Sequence, residues 1–385
     1  DLKKTEEAEQ EFAKAASLSA DDIAPQLNMV MLYVSSSRWT EAIDRARSML
    51  QKFPTSAELA GLLAYAYAGE GSFQDAEIAA HKAQALDKDE PLSLIADSMV
   101  QIDKGNLDQA LLSLQKAVSR QPGSAFAMTE LSAALTQSGD AKQGVKMAQQ
   151  SLQIAPSSLR AKASMAEALK QLGNFDGAIL HLKECVVRNP KNLDLRLSLA
   201  DAQEKAGDRE TAIETLEKAR KTAPDSPKPL AELARLYLEN RKFRKSEELS
   251  MEALQYDRHH IQSLLVLCTV LLETGKLDAC AERCELLLSR QPNNREGNLI
   301  NGRCCYRLGR WSEACSSFSR AKTSGGALST SDTQALAYCL EKTSDLVKAV
   351  DLIAEKLKDS KLSNRERKEL SRQQKRINRQ LNTRR

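Results

Sequence analysis

The sequence predicts an all-α fold, a solenoid of stacked two-helix units, and three observations carry that prediction. The first is a glycine that returns every 34 residues. Stepping from Ser37 gives Gly71, Gly105, Gly139, Gly173, Gly207, Arg241, Gly275 and Gly309, and a glycine there ends a helix in the left-handed conformation at little steric cost. The second is a pair of positions just beyond it. A large apolar residue follows in most units (Trp39, Phe73, Leu107, Phe175, Phe243, Leu277, Trp311). Three residues further comes a small one, Ala42, Ala76, Ala110, Gly144, Ala178, Ala212, Ser246, Cys280 or Ala314, which lets two helices approach closely. The third is the stop signal at Pro54, Pro122, Pro156, Pro190, Pro224 and Pro292, since proline cannot continue a helix. Self-similarity of this period marks a repeat array.

Taken in order, the chain opens out of phase. Ala8, Phe12 and Ala15 stand 34 residues before Ala42, Ala46 and Met49, so residues 1–22 are expected to be the second helix of a truncated unit, with a segment preceding residue 1. Nine full units are expected over 23–328, beginning at Ile23, Ala57, Pro91, Ala125, Leu159, Leu193, Pro227, Ile261 and Arg295. Ser56, Ser124, Ser158, Asn192, Ser226 and Asn294 hold the N-cap position of first helices, where a side-chain oxygen satisfies an orphan amide. Second helices open on Ser72, Asn106, Asp140, Asn174 or Asp208. An imperfect tenth unit spans 329–360. Its phase recovers with one inserted residue, which puts Ser344, Leu346 and Ala349 on the motif.

Residues 361–385 break the composition. They carry ten Lys or Arg against two Glu, a charge of +8, which leaves −4 on residues 1–360. Leu370, Ile377 and Leu381 fall on one helical face, so a basic capping helix is one reading. A nuclear-localisation or nucleic-acid contact through Arg365, Arg367, Lys368, Arg372, Lys375, Arg376 and Arg379 is the other. No aromatic residue lies in this segment, which removes the stacking platform that single-strand binding uses.

The turn glycine, the small residue at the eighth position of each unit (Ala64, Ser98, Ala166, Ala200, Ala234), the Ala at the twentieth and the Pro at the thirty-second together resemble the tetratricopeptide repeat (TPR) family. The resemblance covers residues 1 to about 360. It implies a right-handed superhelix of antiparallel helix pairs whose concave groove holds a peptide or helix of a partner. It further implies that first helices line the groove. On that basis Leu27, Met31, Leu62, Tyr65, Ile95, Met99 and Ile102 form an apolar partner-binding surface early in the chain. Glu130, Glu167, Asp201, Glu204, Glu232 and Glu239 form an acidic one in the middle, suited to a basic segment, for which the tail itself could compete. The family's chaperone-tail clamp needs a Lys at the fifth position of a unit; the residues there run Leu27, Gly61, Ile95, Thr129, Ala163, Leu197 and onward without one.

Catalytic chemistry has no foothold in the sequence. The four histidines (His81, His181, His259, His260) are scattered, and no phosphate-binding glycine loop, metal-binding HExxH or nucleophile elbow occurs. The chain is therefore read as a non-enzyme with no cofactor and no metal. Most of the eight cysteines take positions filled elsewhere by Ala, Ser or Leu. They behave as small core hydrophobes and suit a reducing compartment, so a cytoplasmic or nuclear location is expected. The longest apolar run, 264–272, is too short to span a bilayer. The expected function is a non-catalytic scaffold or adaptor for protein–protein interaction within a multi-subunit assembly. The alternatives are the substrate-recruiting arm of an enzyme whose catalytic part lies elsewhere, and a nucleic-acid-associated factor using the basic tail.

Overall fold

Short glycine turns and small residues at fixed intervals force consecutive helices to fold back on one another, and the computed structural model shows this throughout. It describes residues 9–12, 14, 22–36 and 38–383. Among these no strand occurs. The expected helix over 1–22 lies mostly outside the described residues, as do Ala8, Ala15 and Ser37; residues 9–12 and 14 are helical.

The chain divides into two compact units, Asp1–Gly207 and Asp208–Arg385. In the first, helix pairs follow in order: α1 (Ala24–Ser35) with α2 (Trp39–Lys52), α3 (Ala57–Glu70) with α4 (Phe73–Leu86), α5 (Pro91–Asp103) with α6 (Leu107–Arg120), α7 (Ala125–Gln137) with α8 (Ala141–Ile154), and α9 (Leu159–Gln171) with α10 (Phe175–Arg188), ending in α11 (Leu193–Lys205). The second holds α12 (Arg209–Thr222), α13 (Pro227–Glu239) with α14 (Phe243–Tyr256), α15 (Ile261–Glu273) with α16 (Leu277–Arg290), α17 (Arg295–Arg307) with α18 (Trp311–Thr323), α19 (Thr330–Lys342) with α20 (Leu346–Leu357), and α21 (Asn364–Thr383).

The repeat residues act as their chemistry dictates. Seven turn glycines have φ between 74° and 94°. Arg241 (φ 55°) and Ser344 (φ 67°) take the same left-handed conformation with a side chain; Ser344 is where the one-residue shift of the tenth unit puts the turn. The small residues of the twentieth position are buried. Where they are polar they bond across the pair: the Ser246 hydroxyl donates to the Ala234 carbonyl (2.7 Å) and the Cys280 thiol to that of Cys268 (3.4 Å). At Gly144 a Cβ would lie 3.1 Å from the Ser132 carbonyl, so a side chain here would crowd the facing helix. Ser56, Ser124, Ser158, Asn192 and Asn294 accept the N3 amide of their helices. Ser226 makes no such bond, because the residue three positions on is Pro229 and has no N–H to offer.

The C-terminal segment is a docked helix. Leu370 and Ile377 of α21 are buried with Ala337, Leu346, Ala349 and Ile353 of α19 and α20. Arg367 donates to the carbonyls of Leu357 (2.9 Å) and Asp359 (3.1 Å), satisfying acceptors left open where α20 ends. Arg376 pairs with Glu341 at 2.6 Å.

Candidate functional site

The acidic surface expected in the middle of the chain is neutralised from within, and its members fall in different units. In the first unit Glu130 pairs with Arg160 (2.6 Å), and Lys170 bridges Glu167 (3.0 Å) and Asp201 (2.7 Å), with Lys205 also on Asp201 (3.0 Å). Glu204 also makes an interaction of its own. In the second unit Arg235 takes both Glu232 (2.9 Å) and Glu239 (2.8 Å), and Arg209 also holds Glu239 (3.0 Å). These ion pairs leave little uncompensated field to attract a basic segment. The tail is itself engaged through α21. A tail-to-groove exchange is disfavoured on the groove side by those ion pairs.

The apolar surface expected early in the chain divides three ways. Leu62, Tyr65 and Ile95 are core residues and offer nothing to a partner; this corrects their reading as groove-lining. Leu27, Met99 and Ile102 are half-buried against the same core. Met31 alone of the seven is exposed, at 41%. The physical reason is a run of large side chains that closes over the inner face of the unit. The Tyr65 ring meets Trp39 edge-on at 6.1 Å and Phe126 at 4.7 Å. Arg160 donates to the Tyr65 hydroxyl at 2.9 Å and lies over Phe126 at 5.8 Å. Thus α3, α7 and α9, far apart in sequence, meet through one phenol, one phenyl and one guanidinium. Burial pushes the Glu130 carboxyl up, opposed by the charge of Arg160.

Beside this closed region the same unit keeps an open cavity of about 750 Å³. Met31, Val34, Leu92 and Phe126 give it apolar walls; Glu58, Asp87, Glu90 and Arg120 give it charge. Glu90 is the unusual member. It caps α5, accepting the amides of Leu92 (3.1 Å) and Ser93 (2.5 Å), and is only 4% exposed. Burial, with a smaller push from neighbouring Glu58, raises its carboxyl to about 7 against the pull of those amides. Room for it exists because residue 61 is glycine: any Cβ there would collide with the Glu90 carboxylate. Val34, Glu58, Leu92 and Phe126 lie on first helices, as the family resemblance implies for a groove, although they are not among the seven residues singled out; Glu90, an N-cap, and Arg120, on a second helix, fall outside that rule. A signal for Glu90, and for the glycine that makes room for it, was present in the sequence. Glu90 stands where most other units carry Ser or Asn, and Gly61 is a glycine inside a first helix. Each departs from the repeat, and the departures compensate in space.

In the second unit, Tyr306, Trp311 and Tyr338 form an edge-to-face triangle with centroids 5.4–5.8 Å apart. Arg303 grips the buried Asp332 with two bonds of 2.7 and 2.8 Å, and Arg307 donates to the Leu272 carbonyl at 2.7 Å. Seven cysteines are buried and Cys315 half-buried. No described helix is long and apolar enough to cross a membrane.

Stacked helix pairs with this turn, spacing and small-residue seam define a helical repeat protein, a class whose units present surface for interaction. Family models for the tetratricopeptide repeat match residues 27–91 and 169–228. The chain belongs to the tetratricopeptide repeat superfamily. No curated protein matches it. Among solved structures it is similar to yeast Tom70 (14% identity, TM-score 0.49, covering 99% of this chain and 93% of that one). It is similar also to PilF of Pseudomonas aeruginosa (19%, 0.45, 54% and 94%) and to MamA of Desulfovibrio magneticus RS-1 (18%, 0.40, 44% and 96%).

Proposed function

We propose that the chain is a non-catalytic scaffold of a multi-subunit assembly and that it holds a partner segment in the cavity of its first unit. The observation that supports this reading is the cavity itself: apolar walls at Met31, Val34, Leu92 and Phe126 beside a buried, unusually weak acid. Pockets of a few hundred Å³ with apolar walls and a few placed polar groups are where proteins take ligands, and an extended or helical segment anchors by inserting side chains into such a recess. A segment with an aliphatic anchor and a neighbouring base fits these walls. The test is a quantitative pull-down with the full chain against Met31→Asp/Leu92→Asp. Helical circular dichroism should be unchanged and the specific partners lost. Identical capture by both proteins defeats the assignment.

A further inference from the structure

The outward face of α21 carries a charge array that contacts among the described residues only partly neutralise. Arg365, Lys368, Arg372, Lys375, Arg376 and Arg379 are all exposed. At about 100° per residue they fall within a band of roughly 100°, opposite the seam of Leu370 and Ile377. Arg365 pairs with Glu369 (3.0 Å) and Arg376 with Glu341 (2.6 Å). Lys368, Arg372, Lys375 and Arg379 have no ion-pair partner among the described residues. From Arg365 to Arg379 the stripe runs about 21 Å at 1.5 Å per residue, with cations one helical turn apart. The helix is held in place by its buried side and by Arg367, so the array is preformed.

We propose that this face of α21 binds the phosphate backbone of double-stranded nucleic acid without reading its sequence. A preformed row of cations spaced along a fixed helix can meet several of the closely and regularly spaced phosphates of a duplex, and neutralising them releases condensed counterions. A single strand is a poorer match, since the segment has no aromatic residue on which bases could stack. An anionic bilayer is a poorer match as well. Interfacial helices sink an apolar face into the lipid boundary, and the apolar face of α21 is already packed on α19 and α20.

The experiment is fluorescence anisotropy of the full chain with a labelled 20-base-pair DNA duplex at 50 and 200 mM salt. Four to six phosphate contacts predict a loss of roughly 10²–10³-fold in affinity over that range. The Lys368→Glu/Arg372→Glu/Lys375→Glu variant should lose duplex binding with its circular dichroism unchanged, and Lys142→Glu/Arg283→Glu, reversing two exposed cations elsewhere, should keep it. A second variant with the same three residues changed to Gln should fall between, with a shallower salt slope. Failure of the duplex to saturate at 50 mM salt overturns the proposal, as does equal binding by the reversed protein. So does a 20-nucleotide single strand, polyglutamate or a phosphatidylserine vesicle that binds as tightly as the duplex, because the surface would then be a general anion site.

Discussion

Glu90 concentrates the strain of the first unit in one group. Its carboxyl has a value of about 7 in the folded chain, against 4.5 as its ordinary value. Between those values the folded state keeps a proton that the unfolded state has released. Stability from this group is therefore greatest at low pH and falls as pH rises from about 4.5 to 7, by on the order of 3 kcal/mol at most. Glu90→Gln keeps an oxygen for one of the two amides, those of Leu92 and Ser93, which bond different carboxylate oxygens, and removes the ionisation. Thermal melts should show the wild type losing stability between pH 5 and 7.5, and the Gln variant losing less over the same range. Parallel curves for the two proteins would show that Glu90 ionises freely. The same group tells a partner-binding story: above pH 7 the cavity gains a charge and should hold a basic side chain more firmly.

At the scale of the helix pair, the turn is the controlling feature. Arg241 and Ser344 hold a left-handed conformation that glycine holds in seven other units. An L side chain there costs about 1–2 kcal/mol, and substitution by glycine returns that strain while adding about 0.4–1 kcal/mol of unfolded-state entropy. Arg241→Gly and Ser344→Gly should each stabilise by about 0.5 kcal/mol, read as an increased urea midpoint with unchanged slope. A lowered midpoint would mean that the side chains contribute contacts outweighing the backbone strain. The α21 element follows the same local logic. Its amphipathic seam was legible from Leu370, Ile377 and Leu381 because helical periodicity needs only local sequence, whereas which cations remain free was settled by Glu341, Leu357 and Asp359, distant or irregular groups that no periodicity reports.

Across the whole molecule, repeats contact their neighbours first, so damage should spread only a short way along the stack. Gly173→Val places a β-branched residue at φ 77° and should loosen the α9–α10 pair. Hydrogen exchange should lose protection over 159–192. Because Arg160 of α9 bonds Tyr65 of α3, the loss should reach 57–70 as well, while 261–357 stays protected. A uniform loss over both units would contradict a repeat array.

The sequence by itself determined the class of fold, the position of nearly every turn, the helix seams and the amphipathic tail helix. Those features depend on residues no further apart than one unit, and each repeats often enough to be recognised. Tertiary structure decided which surface is open. Tyr65, Phe126 and Arg160 come from different units and close the inner face between them. Gly61 and Glu90 compensate each other across two helices to leave a charged recess. A positional rule treats each unit alone and so cannot see either. Side-chain volume and charge add up only once the units are stacked, because burial and pairing are properties of the assembled surface and not of the repeat.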